Sequence, residues 1–317
     1  MSVATILGVD GGGTKTAARV ALSSPDGPSD AGPLCLIGVG EAGGSNPYSV
    51  GWDAAERSIR DAIDAAVRDA GGEGDLVVGA AVIAVAGAAT DEARDRLAGW
   101  ARDAGIARRV DVVADTLPIL AEAPAGRSAI GLIAGTGSSA VTLGPAGEPL
   151  LLGGWGYLID DAGSGFAIGQ TALRLAVRAA DRGEPFALGD AALRTLGLDR
   201  LAELKPAVYQ AADPRGVIAS LAPTVLDLAQ RGDEAAAGIV RSGADALAGL
   251  VADAARRPGV AEGPPVVCVA GSLLQRSPAY RAALRTSLAQ RGVEAELRLA
   301  PEPACGCLRL AQRLLRN

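Results

Sequence analysis

The sequence predicts an α/β protein built from two related domains. An apolar strand that runs into a turn rich in glycine, threonine and serine occurs twice, first around Thr14 and again around Thr136. Predicted strands and helices alternate along the rest of the chain, which is typical of α/β folds. The 317 residues are 49% hydrophobic, which is enough apolar material for two cores. Two copies of one unit predict two domains, each offering a turn to a shared cleft.

The first predicted domain opens with three strands and continues with alternating helices and strands. Strands are expected at 5–10, 16–22, 34–40, 76–86 and 110–114, and helices at 49–70 and from 90 onward. Two glycines at 71–72 stop the first helix, and Thr90 can cap the second, with Asp91 favouring its N-terminal dipole. The last strand ends at Asp115, which places a carboxylate at the end of this strand.

The second predicted domain repeats the opening of the first. A strand from 128 enters the turn at 134–139, and further elements are expected as a strand at 140–143, a helix ending at 180, a helix at 233–257 and a strand at 265–270. The domains are predicted as 1–116 and 117–317, with a hinge near Thr116 and Leu117. The final helix, about 303–316, could pack back on the N-terminal domain.

The composition excludes several reaction classes. Histidine is absent, which removes the Ser-His-Asp triad, the Cys-His pair and His-ligated zinc. Catalysis must therefore rest on carboxylates, backbone dipoles and a metal that arrives with the substrate. The 30 basic and 36 acidic residues give a net charge of −6 without a basic block, which argues against nucleic-acid binding.

The cysteines and the hydropathy pattern indicate a soluble cytoplasmic protein. Cys35, Cys268, Cys305 and Cys307 lack a paired CxxC spacing and lie in apolar segments, so we interpret them as reduced, buried thiols. The longest apolar run, 76–89, is shorter than the ~20 residues that a membrane span requires. No basic region precedes an apolar segment at the N-terminus. We expect no membrane partner.

The segment from Ile6 to Lys15 has the outline of a phosphate site. Its strand delivers Asp10 onto three glycines, a hydroxyl and a cation. Glycines let the backbone approach an anion and present N–H groups, and a carboxylate can hold the water shell of Mg²⁺. The alternative is a glycine-rich hairpin turn. Lys15 is one of two lysines in the chain, and it could contact phosphate or simply begin the second strand.

Six segments in order along the chain carry a resemblance to a known family. They are Asp10 to Lys15, Gly44 to Pro47, Val112 to Thr116, Ala134 to Ser139, Gly153 to Gly165, and Val266 to Ser272. Together they resemble the BadF/BadG/BcrA/BcrD ATPase family of the actin/hexokinase/Hsp70 superfamily, and within it the N-acetylglucosamine kinases. The resemblance implies two ribonuclease H-like (actin-like ATPase) domains with an ATP and sugar cleft between them. It also implies an amino-sugar kinase that uses ATP and Mg²⁺.

The resemblance further implies roles for individual residues. Asp115 falls at the place of the catalytic aspartate of sugar kinases, where it would accept the proton of a sugar 6-hydroxyl as general base. Asp10 would hold Mg²⁺ through water. Nucleotide contacts are implied for Asp10, Gly11, Gly12, Gly13, Thr14, Lys15, Thr136, Gly137, Ser138, Gly271 and Ser272. Sugar contacts are implied for Asn46, Asp115, Ser138, Gly154, Trp155, Asp161, Ser164 and Gly165.

Structural explanations stay open for the same residues. Asp115 could cap the helix that follows it, and Asn46 before a proline could form an ordinary turn. Trp155 could fill a core instead of forming a wall of the sugar site. Asp161 and the amides of 163–165 could cap the helix that ends at 180 instead of binding sugar hydroxyls.

The acceptor sugar is left open by one departure from the family pattern. Residues 160–162 read Asp-Asp-Ala, whereas the family usually has Gly-Asp-Glu. The missing glutamate and the added Asp160 leave N-acetylglucosamine, a close relative and glucosamine as candidates. A competing function is an ATPase activator of an acyl-CoA reductase or dehydratase, which uses cysteines at a dimer interface for an iron–sulfur cluster. The Trp155 segment favours the kinase, and a homodimer is left open.

Overall fold

The computed structural model describes residues 3–13, 15–23, 34–72, 76–88, 90–124, 127–257, 263–300 and 302–316. The chain divides into two compact units. The first contains Met1–Gly126 and Glu302–Asn317, and the second contains Arg127–Pro301. The observed boundary at 126/127 therefore lies later in the chain than the predicted boundary at 116/117. The reason is that the short helix after residue 116 belongs to the first unit, where it buries Pro118, Ile119 and Leu120. The C-terminal helix also belongs to the first unit.

The first unit is built on a five-stranded mixed sheet in the order β3-β2-β1-β4-β5. The strands are β1 (Ala4–Gly11), β2 (Lys15–Ser23), β3 (Cys35–Gly43), β4 (Val78–Val85) and β5 (Arg109–Ala114). The helices are α1 (Pro47–Val50), α2 (Trp52–Asp69), α3 (Asp91–Asp103), α4 (Leu117–Leu120) and α13 (Pro303–Arg316). Strands β1, β2 and β3 pair antiparallel, whereas β1, β4 and β5 run parallel.

Helices cover both faces of this sheet. Apolar side chains of α2 and α3 form one core with the sheet, including Ile59 and Leu97. Apolar side chains of α13, including Leu308, form a second core on strands β1 and β4. The predicted helix at 49–70 is wrong in one respect, because it is two helices. Gly51 separates α1 from α2 with a φ of 83°, which a glycine adopts without strain.

The second unit has a five-stranded sheet in the order β10-β9-β6-β7-β8. Its strands are β6 (Ala129–Ala134), β7 (Ser138–Leu143), β8 (Pro149–Gly153), β9 (Val266–Ala270) and β10 (Glu296–Leu299). Its helices are α5 (Gly165–Asp181), α6 (Ala187–Leu196), α7 (Leu204–Tyr209), α8 (Pro214–Ala219), α9 (Ala222–Gln230), α10 (Glu234–Ala255), α11 (Ser272–Arg276) and α12 (Pro278–Gln290). The sequence pattern did not predict β8 and β10, which are short and half exposed.

The two sheets share one strand order when read from the antiparallel edge. Strands β3-β2-β1-β4-β5 correspond to β8-β7-β6-β9-β10, with the phosphate-type turn between the first two strands of each unit. Strands β6, β7 and β8 pair antiparallel and β6, β9 and β10 pair parallel, as their counterparts do. The prediction of two related actin-like α/β domains is confirmed.

One expectation from composition changes in the structure. All four cysteines are free thiols, but Cys35 is exposed on the edge strand β3 and Cys305 is half-buried, so the prediction of four buried thiols is wrong. An apolar sequence neighbourhood does not bury an edge-strand residue.

In the described part of the chain, one helix, α10, is long and apolar enough to cross a membrane. Its apolar residues, including Leu247 and Val251, lie in the core of the second unit.

Candidate active site

The first glycine-rich turn joins β1 to β2 and is fixed by backbone hydrogen bonds. The Gly12 N–H donates to the carbonyl of Lys15 at 2.8 Å. The Gly12 carbonyl accepts from the N–H groups of Ser45 and Asn46, at 2.9 and 3.2 Å. The loop that contains Asn46 is therefore attached directly to the predicted phosphate turn. Thr14 lies outside the described residues.

Buried hydroxyl groups strengthen this attachment. The Thr16 hydroxyl lies 2.6 Å from the carbonyl of Gly43 and 2.8 Å from the hydroxyl of Ser45. Thr16 and Ser45 are completely buried. A Cβ on Gly11 would overlap the Ser45 hydroxyl oxygen, so only glycine fits where the strand enters the turn. A Cβ added to Gly13 would have no heavy atom within 4 Å, so the space around Gly13 does not require a glycine.

Two carboxylates lie at the same edge of this sheet. Asp10 is the penultimate residue of β1, and Asp115 follows β5 directly. Strand β4 lies between β1 and β5, with all three parallel, so their carboxyl ends meet at one edge about 10 Å apart in the backbone. Acidic side chains of Asp10 and Asp115 can then approach one another closely enough to interact.

Burial raises the pKa of both carboxyl groups. Burial, with a further contribution from the negative charge of Asp115, raises the pKa of Asp10 from 3.8 to about 6, against an opposing effect of Arg19 and Lys15. Burial also raises the pKa of Asp115, and backbone N–H groups at Asp115 and Thr116 partly oppose the shift. A raised pKa on neighbouring carboxylates is typical of a site that holds a cation or moves a proton.

The capping explanation for Asp115 is not supported by the geometry of α4. That helix has four residues and its N-cap position is Thr116, without a side-chain capping bond. The N–H groups that a capping side chain would satisfy lie further into the helix than those that face Asp115. Its carboxylate is thus left available for chemistry.

Lys15 and Asn46 are engaged in local interactions. Lys15 begins β2 and its Nζ lies 2.6 Å from Oε1 of Glu41, with both side chains 56% exposed. The Asn46 Oδ1 accepts from the Tyr48 N–H at 3.0 Å and caps α1, as the turn explanation predicts. The Asn46 amide nitrogen is the part of this side chain that could donate to a sugar oxygen.

The second glycine-rich turn joins β6 to β7 and packs on the beginning of α5. The Gly135 carbonyl accepts from the Gly165 N–H at 2.7 Å, and the Thr136 carbonyl accepts from the Phe166 N–H at 3.2 Å. Within the turn the Gly135 N–H donates to the Gly137 carbonyl at 2.9 Å. Among the described residues, the N–H groups of Thr136 and Gly137 have no recorded protein acceptor. Unbonded N–H groups in a glycine-rich turn are available to an anion.

The predicted adenosine turn lies beside this phosphate turn. Gly271 follows β9 with a φ of 87°, and a Cβ on it would overlap the carbonyl oxygen of Ala134. Only glycine combines this φ with so close an approach of two backbone segments. The next residue, Ser272, lines a cavity of about 280 Å³ with Leu273, Arg276 and residues of α9.

Trp155 lies on the surface of the second unit. Its residue is 70% exposed, so the alternative in which it fills a core is wrong. Gly154 before it has a φ of 71° and a Cβ there would contact Ser139 on β7 at 3.2 Å. Trp155 and Asp160 line an open groove of about 480 Å³. An exposed indole beside a groove is a suitable surface for the apolar face of a sugar.

Asp161 is buried against the second turn. Its side chain is 4% exposed, and its Oδ2 accepts from Nη2 of Arg215 at 3.0 Å. The Ser138 N–H points at Oδ1 from 3.4 Å, and the Ser138 hydroxyl donates to the Ala162 carbonyl at 2.8 Å. Sequence reasoning missed Arg215, because nothing in its neighbourhood marks it apart from other arginines near helix starts.

The capping explanation holds for Ser164 and fails for Asp161. The fully buried Ser164 hydroxyl accepts from the Ala167 N–H at 3.2 Å and caps α5. The N–H of Ser164 donates to the Asp161 carbonyl, and the N–H of Gly165 donates to Gly135. The expectation that these two amides bind sugar hydroxyls is therefore wrong, because the protein itself uses them.

The comparison with protein families decides the relationship of the chain. Residues 7–307 match the BadF/BadG/BcrA/BcrD ATPase family. The chain belongs to that family. The relationship predicted from the six segments is confirmed, and an ATPase family supports ATP as the nucleotide.

Two individual proteins resemble the chain over most of its length. An N-acetyl-D-glucosamine kinase of Dictyostelium discoideum is 28% identical over 266 residues, covering 79% of each chain. An N-acetylmuramic acid/N-acetylglucosamine kinase of Clostridium acetobutylicum is 29% identical over 245 residues, covering 76% of each.

Solved structures agree in fold. A protein of Chromobacterium violaceum assigned as an N-acetylglucosamine kinase is 27% identical, with a TM-score of 0.69 over 98% of this chain and 99% of that one. A ROK family glucokinase of Streptomyces griseus in complex with glucose and AMPPNP has a TM-score of 0.58 at 17% identity, over 98% of both chains. The glucokinase supports the fold alone.

Proposed function

We propose that this protein is an ATP-dependent amino-sugar kinase that transfers the γ-phosphate to the 6-hydroxyl of N-acetylglucosamine or a close relative. The observation that carries the proposal is the placement of two partly buried carboxylates, Asp10 and Asp115, at the edge of the sheet that holds the first glycine-rich turn, where burial raises the pKa of both. The similarity to N-acetylglucosamine kinases supports the acceptor class.

Asp115 has the properties of the general base. Phosphoryl transfer to an alcohol requires the loss of the hydroxyl proton as the bond to phosphorus forms. A carboxylate with a raised pKa is a stronger base than a solvent-exposed one, and burial supplies that shift for Asp115. The chain contains no histidine to take this role.

Asp10 has the properties expected of a magnesium residue that acts together with the nucleotide. Among the described residues, no group of three or more His, Cys, Asp or Glu side chains is arranged to hold a metal by itself. Mg²⁺ in nucleotide sites uses one or two carboxylates plus phosphate oxygens, so the donor set fits. When bound, Mg²⁺ neutralises phosphate charge. Asp10 would hold it through water, and a cation there would offset the charge repulsion from Asp115.

The second unit would hold the nucleotide. The N–H groups of Thr136 and Gly137 are available to phosphate oxygens, and Ser138 extends the same turn. Ser272, which follows Gly271, lines the cavity beside this turn, and the cavity volume of about 280 Å³ is close to that of small-molecule sites. The apolar side chain of Leu273 and the guanidinium of Arg276 line the same space, which suits a base and a ribose.

The acceptor sugar is less closely defined by the residues of the site. The exposed Trp155 offers a flat apolar surface, and Gly154 positions it. Asp160 is exposed, and its Oδ1 accepts from the Ala162 N–H at 3.2 Å in a local turn. An exposed carboxylate engaged in a turn selects weakly for a cationic amine. N-acetylglucosamine is therefore the first substrate to test, with glucosamine as the runner-up.

The decisive experiment is an ATP-coupled assay over a panel of sugars. Purified protein, ATP and Mg²⁺ are incubated with N-acetylglucosamine, glucosamine, N-acetylmannosamine, N-acetylmuramic acid and glucose, and ADP release and the phosphorylated product are measured. Phosphorylation at the 6-hydroxyl of an amino sugar supports the proposal. Phosphorylation of none of them overturns it, and iron in the purified protein would favour the activator of an acyl-CoA enzyme instead.

Three further properties stay predictions: the location, the oligomeric state and the closure of the two units. ATP as the phosphate donor and four free thiols agree with a cytoplasmic location. A homodimer is checked by size-exclusion chromatography with light scattering. Closure of the two units around substrates is checked by small-angle scattering with and without ATP analogue and sugar. The hinge predicted near 116–117 lies within the first unit, so a hinge would instead lie where the chain passes from one unit to the other, at 126–127 and 301–302.

A further inference from the structure

We propose that Arg215 is a phosphate-binding residue of the nucleotide site, which donates from its guanidinium to the phosphates held at the second glycine-rich turn while it also holds Asp161. This inference rests on the proposed function in that it assumes a nucleotide at the turn. It does not depend on which sugar is phosphorylated.

The backbone around Arg215 is firmly placed beside the turn. Helix α8 begins at Pro214, and the Asp213 side chain caps it by accepting from the Gly216 N–H at 2.9 Å. A Cβ on Gly169 of α5 would overlap the carbonyl oxygen of Ile218, so α8 and α5 contact one another through their backbones. Because the second turn packs on the beginning of α5, α8 keeps a fixed position relative to that turn.

The guanidinium lies directly on the turn. A Cβ on Gly137 would overlap Nη2 of Arg215, and it would lie 3.0 Å from Oδ2 of Asp161. On its other side the guanidinium carbon lies 5.5 Å from the centroid of the Tyr157 ring, within the range of a cation–π interaction. The positive charge is therefore held within contact distance of the backbone of the phosphate turn.

The bonding of Arg215 is incomplete for a residue whose role is only to neutralise Asp161. One nitrogen, Nη2, donates to that carboxylate, whereas Nε is buried without a hydrogen-bond partner. A second ion pair in the same unit shows the complete arrangement. Arg291 donates to Asp245 from Nε at 3.0 Å and from Nη2 at 2.8 Å. The two arginine side chains are similarly exposed, at 36% and 39%, so the exposure of the arginine does not explain the difference.

The helix behind the turn cannot supply the missing donors. The N–H groups of Ser164, Gly165 and Phe166 donate to backbone carbonyls, and that of Ala167 donates to the Ser164 hydroxyl. The first turn of α5 is therefore fully used by the protein. Binding of a polyphosphate needs positive charge besides two backbone N–H groups, and a guanidinium matches phosphate geometry with several donors. Arg215 provides that charge at the turn.

The cation in the other turn is less suited to this task. Lys15 is paired with Glu41 at the surface, and half of each side chain is exposed to solvent. Arg215, by contrast, is held between an aromatic ring and a buried carboxylate. Its guanidinium loses little conformational freedom when it binds an anion.

The test compares the binding of nucleotides that differ only in phosphate content. Isothermal titration calorimetry measures ADP, AMP and adenosine binding to the full-length protein and to Arg215→Ala, Arg215→Lys and Arg291→Ala. We expect Arg215→Ala to weaken ADP binding about 10- to 100-fold and adenosine binding less than twofold, because a charge-assisted hydrogen bond to phosphate is lost. Arg215→Lys keeps the charge and should recover part of the ADP affinity. Arg291→Ala should leave both nearly unchanged.

Other outcomes separate this inference from the proposed function. Equal losses of ADP and adenosine binding, or no loss of either, overturn the phosphate role. If Arg215→Ala does not fold, as judged by circular dichroism and thermal unfolding, Arg215→Lys and Gly137→Ala carry the same comparison, since a Cβ on Gly137 displaces the guanidinium. A selective loss of ADP binding in a protein that phosphorylates none of the sugars supports Arg215 and overturns the kinase. No selective loss of ADP binding, in a protein that does phosphorylate an amino sugar, overturns the role of Arg215 and supports the kinase.

Discussion

The two glycine-rich turns occupy the same place in sheets of the same strand order, yet they are held in opposite electrostatic environments. In the first unit β1 carries Asp10 just before its last residue, and β5 is followed by Asp115. In the second unit the residue before the end of β6 is Ile133, and β10 is followed by Ala300. The buried carboxylate near the second turn, Asp161, comes from a different segment and is paired with an arginine.

This difference favours different chemical roles for the two related units. Uncompensated carboxylates with raised pKa values suit metal binding and proton transfer, and they would repel phosphate without a cation. A turn with free N–H groups and a guanidinium suits phosphate oxygens. Under the proposed function, the first unit would supply base and metal chemistry and the second unit would bind the phosphates. The predictions below test whether the chemistry divides in this way.

Asp115 should have the largest effect, because it is the proposed base of the first unit. Asp115→Asn keeps the size and removes the basicity, and we expect kcat to fall about 10³-fold or more with ATP binding nearly unchanged. Coupled assays and calorimetry measure the two quantities. Asp111→Asn is the matched control, since Asp111 is an exposed residue of the same strand, β5. Residual turnover near that of the control would show that Asp115 is not the base.

Two glycines that follow the corresponding strands β4 and β9 give the next comparison. Gly87 has a φ of 98° and Gly271 a φ of 87°, so alanine is strained at both positions by roughly 1–2 kcal/mol. A Cβ on Gly87 would meet side chains of Asn46 and Tyr48 at 2.9 Å, whereas a Cβ on Gly271 would overlap the backbone of Ala134. Side chains can move, but the backbone of a central strand cannot.

Gly271→Ala should therefore destabilise the protein by about 2–4 kcal/mol, and Gly87→Ala by about 1–2 kcal/mol. Urea unfolding followed by circular dichroism measures both. Gly87→Ala should also raise the KM for the sugar, because it displaces Asn46, and Gly271→Ala should raise the KM for ATP. Equal effects on the two KM values would contradict the division between the units.

How much the sequence could predict depended on whether a signal is local. The order of strands and turns, and the carboxylate ends at Asp10 and Asp115, follow from apolar runs that stop at glycine or aspartate. The exposure of Cys35 does not, because it depends on which strand lies at the edge of the sheet. Arg215 was invisible for the same reason, since its partner Asp161 lies 54 positions away in the chain.

Asp10 should show the cost of an uncompensated carboxylate. Its pKa is about 6 in the folded protein against 3.8 ordinarily, so the folded state binds the extra proton between these values. The raised pKa lowers the free energy of unfolding. This loss is absent below about pH 4 and is complete above about pH 6, where it reaches up to about 3 kcal/mol. Asp10→Asn removes it.

We therefore expect Asp10→Asn to raise the free energy of unfolding at pH 7 by about 1–3 kcal/mol, to leave it nearly unchanged at pH 4, and to weaken the Mg²⁺ dependence of activity. Urea titrations at both pH values and a Mg²⁺ titration of turnover measure these effects. A variant that is equally destabilised at both pH values would mean that the Asp10 carboxylate is compensated in the folded protein.

Lys15 should have the smallest effect, although it is the cation of the first turn. Its ion pair with Glu41 is exposed, and exposed pairs contribute roughly 0–1 kcal/mol to stability. Lys15→Met should therefore change the free energy of unfolding by less than about 1 kcal/mol and the KM for ATP by less than about twofold. A large rise in the KM for ATP, unaccompanied by a matching effect of Glu41→Gln, would instead place Lys15 on the phosphates. Anion recognition would then be shared between both units, because the first turn would bind phosphate with a cation of its own.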